Sequence, residues 1–141
     1  MRILFDTNVV LDVLLNRLPH FAAAAELMAE VHDRRIDGLL GATTVTTIHY
    51  LATKAVGPAQ AAKHVATLLS LFDVASVGRA TLTGALGLNF PDYEDAVLHE
   101  AARHAAATGI VTRDAKGFAP STLTVYTPDE LLRVVRALPP R

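Results

Sequence analysis

Short apolar runs alternate with longer helical stretches along this chain, and the alternation is the feature that most constrains the fold. The runs with strand character lie at residues 3–5, 38–41, 72–77, 110–112 and 123–126. The predicted helices cover residues 8–15, 21–32, 43–55, 58–69, 79–86 and 92–108, and a terminal helix begins at Pro128. Strands that are separated by helices pair in parallel in a sheet covered on both faces. The pattern therefore predicts an α/β fold, a three-layer α/β/α sandwich, with Gly109 closing the sixth helix.

The composition indicates one globular domain spanning residues 1–141. Hydrophobic residues make up 51% of the chain and charged residues 19%, which excludes a disordered protein. A net charge of -1 disfavours a simple nucleic-acid-binding module but not a nuclease that holds phosphates through metal ions. The lack of cysteine excludes disulfides and thiolate metal sites. Without a long apolar run or a signal peptide, we expect a cytoplasmic protein with no membrane contact.

Three aspartates are predicted to meet at one edge of the sheet. Asp6 ends the first strand, Asp114 ends the fourth, and Asp95 begins the helix that leads into the fourth strand. If strands one and four are neighbours, their carboxyl ends share the edge where such sheets bind ligands. Crowded carboxylates repel one another and call for a cation. Oxygen ligands without cysteine suit Mg²⁺ or Mn²⁺, so the sequence predicts a metal site at these three residues.

Each of these acids also has a structural explanation. Asp6 could cap the first helix, and Asp92 could cap the long helix, with Glu94 and Asp95 complementing its dipole in the first turn. Asp114 could belong to an ordinary turn. The coincidence of three aspartates at one predicted edge favours metal binding over three separate structural roles.

Other catalytic patterns do not fit. His99 and His104 are five residues apart on a helix, about 140° around its axis, so they cannot share a metal ion and are expected to be surface or half-buried residues. The chain has no glycine-rich phosphate loop and no serine nucleophile elbow. Asn8 stands where a phosphatase of the haloacid dehalogenase type would need a second aspartate.

Three segments of the chain resemble the motifs of PIN-domain ribonucleases. They are residues 3–14, residues 92–96, and residues 111–114 followed by Phe118, in the family's order and spacing. The short chain with Arg17 and Pro19 after the first helix is similar to VapC-type toxins of bacterial toxin–antitoxin pairs. The resemblance implies a five-stranded parallel sheet in the order 3-2-1-4-5. It also implies a Mg²⁺- or Mn²⁺-dependent endoribonuclease with an RNA substrate, a cognate antitoxin and a homodimeric state.

The resemblance also implies roles for individual residues. Asp6, Asp95 and Asp114 would be metal ligands or metal-orienting acids, supported by Asn8 and Asp92. Phosphate or supporting contacts are expected from three further residues, namely Thr7, Thr112 and Arg113.

One position departs from most of the family. Thr47 stands about where a glutamate usually follows the second strand. Asp92 or Glu94 is expected to provide the fourth acid instead. The alternative is a catalytically weakened PIN-like domain that binds protein or RNA.

Overall fold

The computed structural model describes residues 1–140, and Arg141, the last residue of the predicted domain, lies outside them. The strands are β1 (Arg2–Phe5), β2 (Asp37–Gly41), β3 (Asp73–Ala75), β4 (Gly109–Val111) and β5 (Thr124–Tyr126). The helices are α1 (Thr7–Leu14), α2 (Phe21–His32), α3 (Ala42–Val56), α4 (Pro58–Leu71), α5 (Arg79–Leu86), α6 (Tyr93–His104) and α7 (Pro128–Arg136). A short 3-10 helix, Ala115–Phe118, follows β4.

The five strands form one parallel sheet in the order β3-β2-β1-β4-β5. Strand β1 is central, with Leu4 in register with Leu39 of β2 on one side and Ile110 of β4 on the other. The strand order reverses direction between β1 and β4, which is the topological switch point where open α/β sheets bind ligands. The predicted fold class and strand order are both confirmed.

Helices cover both faces of the sheet because successive β1 side chains point to opposite sides. Ile3 and Phe5 pack with the buried residues of α1, α2 and α7 on one face. Leu4 points to the other face and packs with Leu98 of α6. Each of these side chains is almost fully buried and contributes roughly 2 kcal/mol of hydrophobic free energy. The two cores hold the ends of β1 and β4 rigidly, so the site at those ends rests on a fixed frame.

Helix α6 ends four residues earlier than the sequence predicts. It stops at His104, and Ala106 takes the left-handed conformation with φ of 61°. The amide of Ala107 then bonds the carbonyl of Ala102, which is the six-to-one bond of a Schellman closure. Gly109 belongs to β4 instead, where a Cβ atom would lie 2.8 Å from the ring of Tyr126. The prediction that Gly109 closes this helix was wrong because that glycine is required for close packing of strands.

The prediction that His99 lies at the surface or is half-buried was also wrong. Its residue exposure is 1%, and its Nε2 accepts a hydrogen bond from the Thr122 amide at 3.1 Å. The apolar pattern of α6 did not reveal this because Phe90, which packs on the imidazole ring, arrives from a separate loop. Across residues 1–140, none of the helices combines the length and apolar character needed to cross a membrane.

Candidate functional site

Asp6 lies buried at the carboxyl end of β1, where it also caps helix α1. Its Oδ1 accepts the Thr7 amide at 2.8 Å, and its Oδ2 accepts the Thr112 hydroxyl at 2.8 Å. Its amide donates to the Val111 carbonyl of the neighbouring strand. The capping role and the predicted site position therefore coincide in one residue. Burial raises the pKa of the Asp6 carboxyl, and the two hydrogen bonds only partly offset this effect.

Thr112 joins the ends of β1 and β4. While its hydroxyl donates to Asp6, the same oxygen accepts the Asp114 amide at 2.9 Å. The side chain is fully buried, so both bonds are shielded from water. Asp114 in turn caps the short 3-10 helix by accepting the Gly117 amide at 3.1 Å. A single hydroxyl thus fixes the relative positions of two predicted site acids.

Asp95 approaches the same edge from the first turn of α6. Asp92 caps that helix by accepting the Glu94 amide at 2.9 Å. Asp95 follows in the first turn and is half-buried. A Cβ atom built on Gly117 would lie 3.1 Å from Oδ2 of Asp95 and 2.6 Å from Oδ2 of Asp114. The missing side chain at Gly117 is therefore what lets these two carboxylates approach each other.

The electrostatics of this edge are strongly unfavourable for a full set of charged acids. Burial raises the pKa of Asp95 to about 7, reinforced in turn by the charges of Asp6, Asp92, Asp114 and Glu94. Near pH 7 Asp95 is therefore protonated in about half of the molecules, whereas an ordinary aspartate would be ionised. A bound cation would reverse this effect, because it would favour the charged form of every acid around it.

Within residues 1–140, neither Arg113 nor Asn8 forms a hydrogen bond with Asp6, Asp95 or Asp114, although the Arg113 charge lowers the pKa of Asp6. Arg113 donates from Nε to Asp12 at 2.7 Å, and Arg17 donates from Nε to the same carboxylate at 2.9 Å. Arg17 also reaches the side chain and carbonyl of Asn8, both at 3.2 Å. Asp12 is completely buried, so this paired network holds the β4 loop against α1. No local pattern identifies Arg113 as the partner of Asp12, because the two residues are 101 positions apart in the chain.

Thr7 and Thr47, two of the threonines that the sequence predicts near the site, form hydrogen bonds with different parts of the fold. Thr7 reaches the Thr44 hydroxyl of α3 at 3.0 Å, so the end of β1 is tied to α3 through that pair. Thr47 instead bonds its own helix, at the Thr43 carbonyl, at 3.0 Å. Thr44 was missed by sequence reasoning, although its position immediately after a buried strand end was a usable signal.

A protein-family model for the PIN domain matches residues 2–116. The chain belongs to the PIN domain family. The match covers both of the strands that carry Asp6 and Asp114 and the helix that carries Asp95. Comparison with curated protein sequences gives no significant match.

Solved structures share the architecture of this PIN domain at low sequence identity. VapBC2 from Rickettsia felis, bound to promoter DNA, superposes with a TM-score of 0.68 at 15% identity, covering 90% of this chain and 98% of that one. FitAcB from Neisseria gonorrhoeae superposes with a TM-score of 0.67 at 18% sequence identity, covering 89% of this chain and 97% of that one. VapC20 from Mycobacterium tuberculosis superposes with a TM-score of 0.62 at 15% sequence identity, covering 77% of this chain and 86% of that one. That protein is described as a sarcin-ricin loop cleaving toxin. These likenesses show the shared fold.

The donor set of this PIN domain fits a hard divalent cation. All its candidate ligands are carboxylate oxygens, and Asp95 carries the pKa shift expected of an acid that lacks a counter-charge. Among residues 1–140, no three acidic or histidine side chains converge closely enough to hold an ion by themselves. Mg²⁺ normally keeps several waters and takes only one or two carboxylates from the protein. The spacing of these acids therefore suits a partly hydrated Mg²⁺ ion better than an ion enclosed by protein ligands alone.

A further cavity of the PIN domain lies away from these acids. It has a volume of about 690 Å³ and lies at the opposite edge of the sheet, with Asp37 and Asp73 in its wall. Both of those acids are exposed and share the single guanidinium of Arg2, at 2.6 Å from Asp37 and 3.1 Å from Asp73. The Arg2 hydrogen bond lowers the pKa of Asp73, whereas burial and neighbouring acids raise the pKa of Asp95, so the aspartate edge is the stronger candidate for a cation site.

Proposed function

We propose that the chain is a Mg²⁺- or Mn²⁺-dependent endoribonuclease that acts as a single PIN domain. The observation that carries the proposal is the crowding of Asp6, Asp95 and Asp114 at the switch point, with the pKa of Asp95 raised to about 7. Acids with strongly shifted pKa values cluster at functional sites, and here the shift comes from burial and from neighbouring negative charges. The site would take an RNA phosphodiester as its substrate.

Asp6, Asp95 and Asp114 would hold the metal ion, which supplies positive charge at the phosphodiester and lowers the pKa of bound water. Asp92 and Glu94 would add negative charge at the rim and provide the acid that Thr47 does not. Thr112 holds Asp6 and the Asp114 backbone in place, so the site would need little rearrangement when it binds its ligands.

Substrate contacts would come from groups around the acids. Asp12 holds the Arg113 guanidinium close to the β4 end, where it would attract a phosphate of the RNA backbone. Thr7 and Asn8 would support the rim through their bonds to Thr44 and Arg17. Hydrolysis at this site would cut the RNA strand between two nucleotides and would not need a nucleophilic side chain of the protein.

Cleavage of a mixed RNA pool tests the proposal. The wild-type protein should cut RNA with Mg²⁺ and lose activity when the metal is chelated. Asp6→Asn keeps the acceptor oxygen for the helix cap but removes the charge, so we expect at least a hundredfold lower rate with the fold intact. Equal cleavage by Asp6→Asn and wild type at matched Mg²⁺ would refute this mechanism.

We also propose a VapC-type role in a toxin–antitoxin pair. The support is the shared fold with VapBC and FitAB structures that were solved with bound DNA. The partner would be a small cognate antitoxin, the chain would form a homodimer, and the complex would act in the cytoplasm. Co-expression with the adjacent reading frame tests this role: toxicity of the chain alone should disappear when the neighbour is co-expressed.

The second candidate is a PIN-like domain with weakened chemistry that binds protein or RNA. It is favoured by one observation, namely that the Thr47 hydroxyl bonds the Thr43 carbonyl of its own helix instead of completing the acid cluster. Calorimetric titration with Mn²⁺ followed by the cleavage assay separates the two candidates. Metal binding without cleavage of any RNA would favour the binding module.

A further inference from the structure

A second cavity opens beside the aspartate edge, and of its lining residues only Arg113 has a role in the function proposed so far. Its volume is about 390 Å³, within the ~300–1,000 Å³ range of small-molecule sites. Its wall comes from four parts of the fold: the α1–α2 turn, helix α2, the end of β4 and the start of α7. The lining residues are Pro19, His20, Ala22, Ala23, Arg113, Thr127, Pro128 and Asp129.

The position of this cleft links it to the aspartates. Arg113 lies in its wall and stands between Thr112 and Asp114 in the chain, so the cleft and the acid site share the β4 loop. The ends of β4 and β5 are themselves joined, because the Thr112 amide donates to the Tyr126 carbonyl at 2.9 Å. A polymer bound across the aspartates would therefore place an adjoining unit over this cleft.

Arg113 is held in a form suited to an anionic ligand. Asp12 accepts from its Nε at 2.7 Å and from Nη2 at 3.3 Å, while Nη1 has no partner among residues 1–140. The carboxylate of Asp12 also pairs with Arg17, so two guanidinium groups share one carboxylate. A pre-positioned guanidinium of this kind binds phosphate with little further loss of side-chain entropy.

The rest of the cleft offers groups that read a nucleobase. The His20 and Asp129 side chains have no hydrogen-bond or ion-pair partner within residues 1–140. An imidazole ring provides a stacking surface, and an ionised carboxylate can only accept hydrogen bonds. Of the RNA bases, guanine presents two adjacent donors, N1–H and the 2-amino group, on its Watson–Crick edge. The small side chains of Ala22 and Ala23 leave room for the ring.

We infer that this cleft is the subsite for an RNA nucleotide next to the cut, with Arg113 on its phosphate and Asp129 selecting guanine. The inference rests on the proposed ribonuclease function and adds a base preference to it. Asp12 is a positioning residue in this subsite, because it acts through the arginine that it holds.

The test is a cut-site profile from a randomised RNA pool, read by sequencing the new ends. Wild type should enrich guanine at one fixed position beside the cut. Replacing that guanine by inosine, which lacks the 2-amino group, should slow cleavage about tenfold, since one lost base contact costs that order of discrimination. Asp129→Asn should abolish the enrichment and the guanine–inosine difference. Asp33→Asn removes the same charge at the opposite edge of the sheet and should keep both.

A second variant tests the volume of the cleft. Ala22→Leu fills it from an exposed position of α2, and should raise KM for RNA about tenfold or more with a smaller change in kcat. Profiles that are identical for wild type and Asp129→Asn would overturn the subsite. So would an Ala22→Leu protein that binds RNA normally but no longer binds the antitoxin, because the cleft would then be a protein-binding site.

Failure of the ribonuclease proposal remains distinguishable from failure of the subsite. If the wild type cuts no RNA, its affinity for a short uridine oligonucleotide with and without one guanine is measured by fluorescence anisotropy. The subsite then stands only if the guanine tightens binding and Asp129→Asn removes that gain. Equal affinity for the two oligonucleotides would refute it.

Discussion

Replacing Asp95 by Asn should stabilise the metal-free protein at pH 8 while it removes a proposed metal ligand. The pKa of Asp95 is raised from an ordinary 3.8 to about 7, so its charged form is disfavoured in the folded state. The carboxyl therefore costs stability above pH 7, where it is forced to ionise, and costs nothing below pH 4, where it is protonated in both states. Wild-type stability should fall as the pH rises through this window, and the amide does not titrate.

The magnitude follows from the size of the shift. Three pKa units correspond to at most about 4 kcal/mol, and solvent screening at this half-buried position reduces the figure to roughly 1–2 kcal/mol. The variant also loses a favourable charge at the start of α6, which costs about 0.5 kcal/mol. The net gain at pH 8 is about 1 kcal/mol, or a melting temperature higher by roughly 3–4 °C.

Thermal unfolding in chelator, followed by circular dichroism at pH 4 and pH 8, measures this difference. Glu94→Gln is the matched control, since it removes a charge from the same turn but at an exposed position. It should raise the melting temperature less than Asp95→Asn, because Glu94 contributes least among the neighbouring acids to the raised pKa of Asp95. Added Mg²⁺ should stabilise wild type more than Asp95→Asn, which keeps only two of the three proposed ligands. The reasoning is refuted if Asp95→Asn is no more stable than wild type at pH 8, or if its advantage is the same at both pH values.

Three further predictions follow from single contacts. Thr112→Val removes the buried hydroxyl that bridges two site aspartates, and should lower the unfolding free energy by about 1–3 kcal/mol in urea titrations and also reduce RNA cleavage. Gly117→Ala places a Cβ atom against two carboxylates and should weaken Mn²⁺ binding measured by calorimetry, whereas Gly78→Ala, with no atom within 4 Å, should not. Burial lowers the pKa of His99, whose Nε2 accepts a hydrogen bond from the Thr122 amide. The free energy of unfolding should therefore decrease as the pH falls below about 6.5, and His99→Gln should make that decrease smaller.

The sequence predicted the fold because its local signals agree with one another. Each short apolar run ends at a polar residue or a turn, and Asp6 and Asp92 stand at helix starts, where aspartate is favoured. The prediction failed at the end of α6, where Ala106 closes the helix in a conformation usually left to glycine. It failed there because the nearby Gly109 lies in β4, where close contact with Tyr126 of the neighbouring strand leaves no room for a side chain.

The candidate site was predictable only in outline. The order of the strands was enough to bring Asp6, Asp95 and Asp114 to one edge. The contacts that fix them join residues about a hundred positions apart, as in the Thr112 bond to Asp6 and the Arg113 bond to Asp12. Partners of that kind depend on the geometry of side chains in the folded state, and no local pattern encodes them.

The most direct test of a metal centre at this edge is Mn²⁺ titration of the wild-type protein by calorimetry at pH 7, in two buffers of different ionisation enthalpy. With the pKa of Asp95 at about 7, binding should release about half a proton per ion, since ligand carboxylates must be deprotonated. Asp95→Asn should bind more weakly and release fewer protons per bound ion, and Asp6→Asn should also bind much more weakly. Absence of Mn²⁺ binding at millimolar concentration, or binding that neither variant changes, would contradict the account.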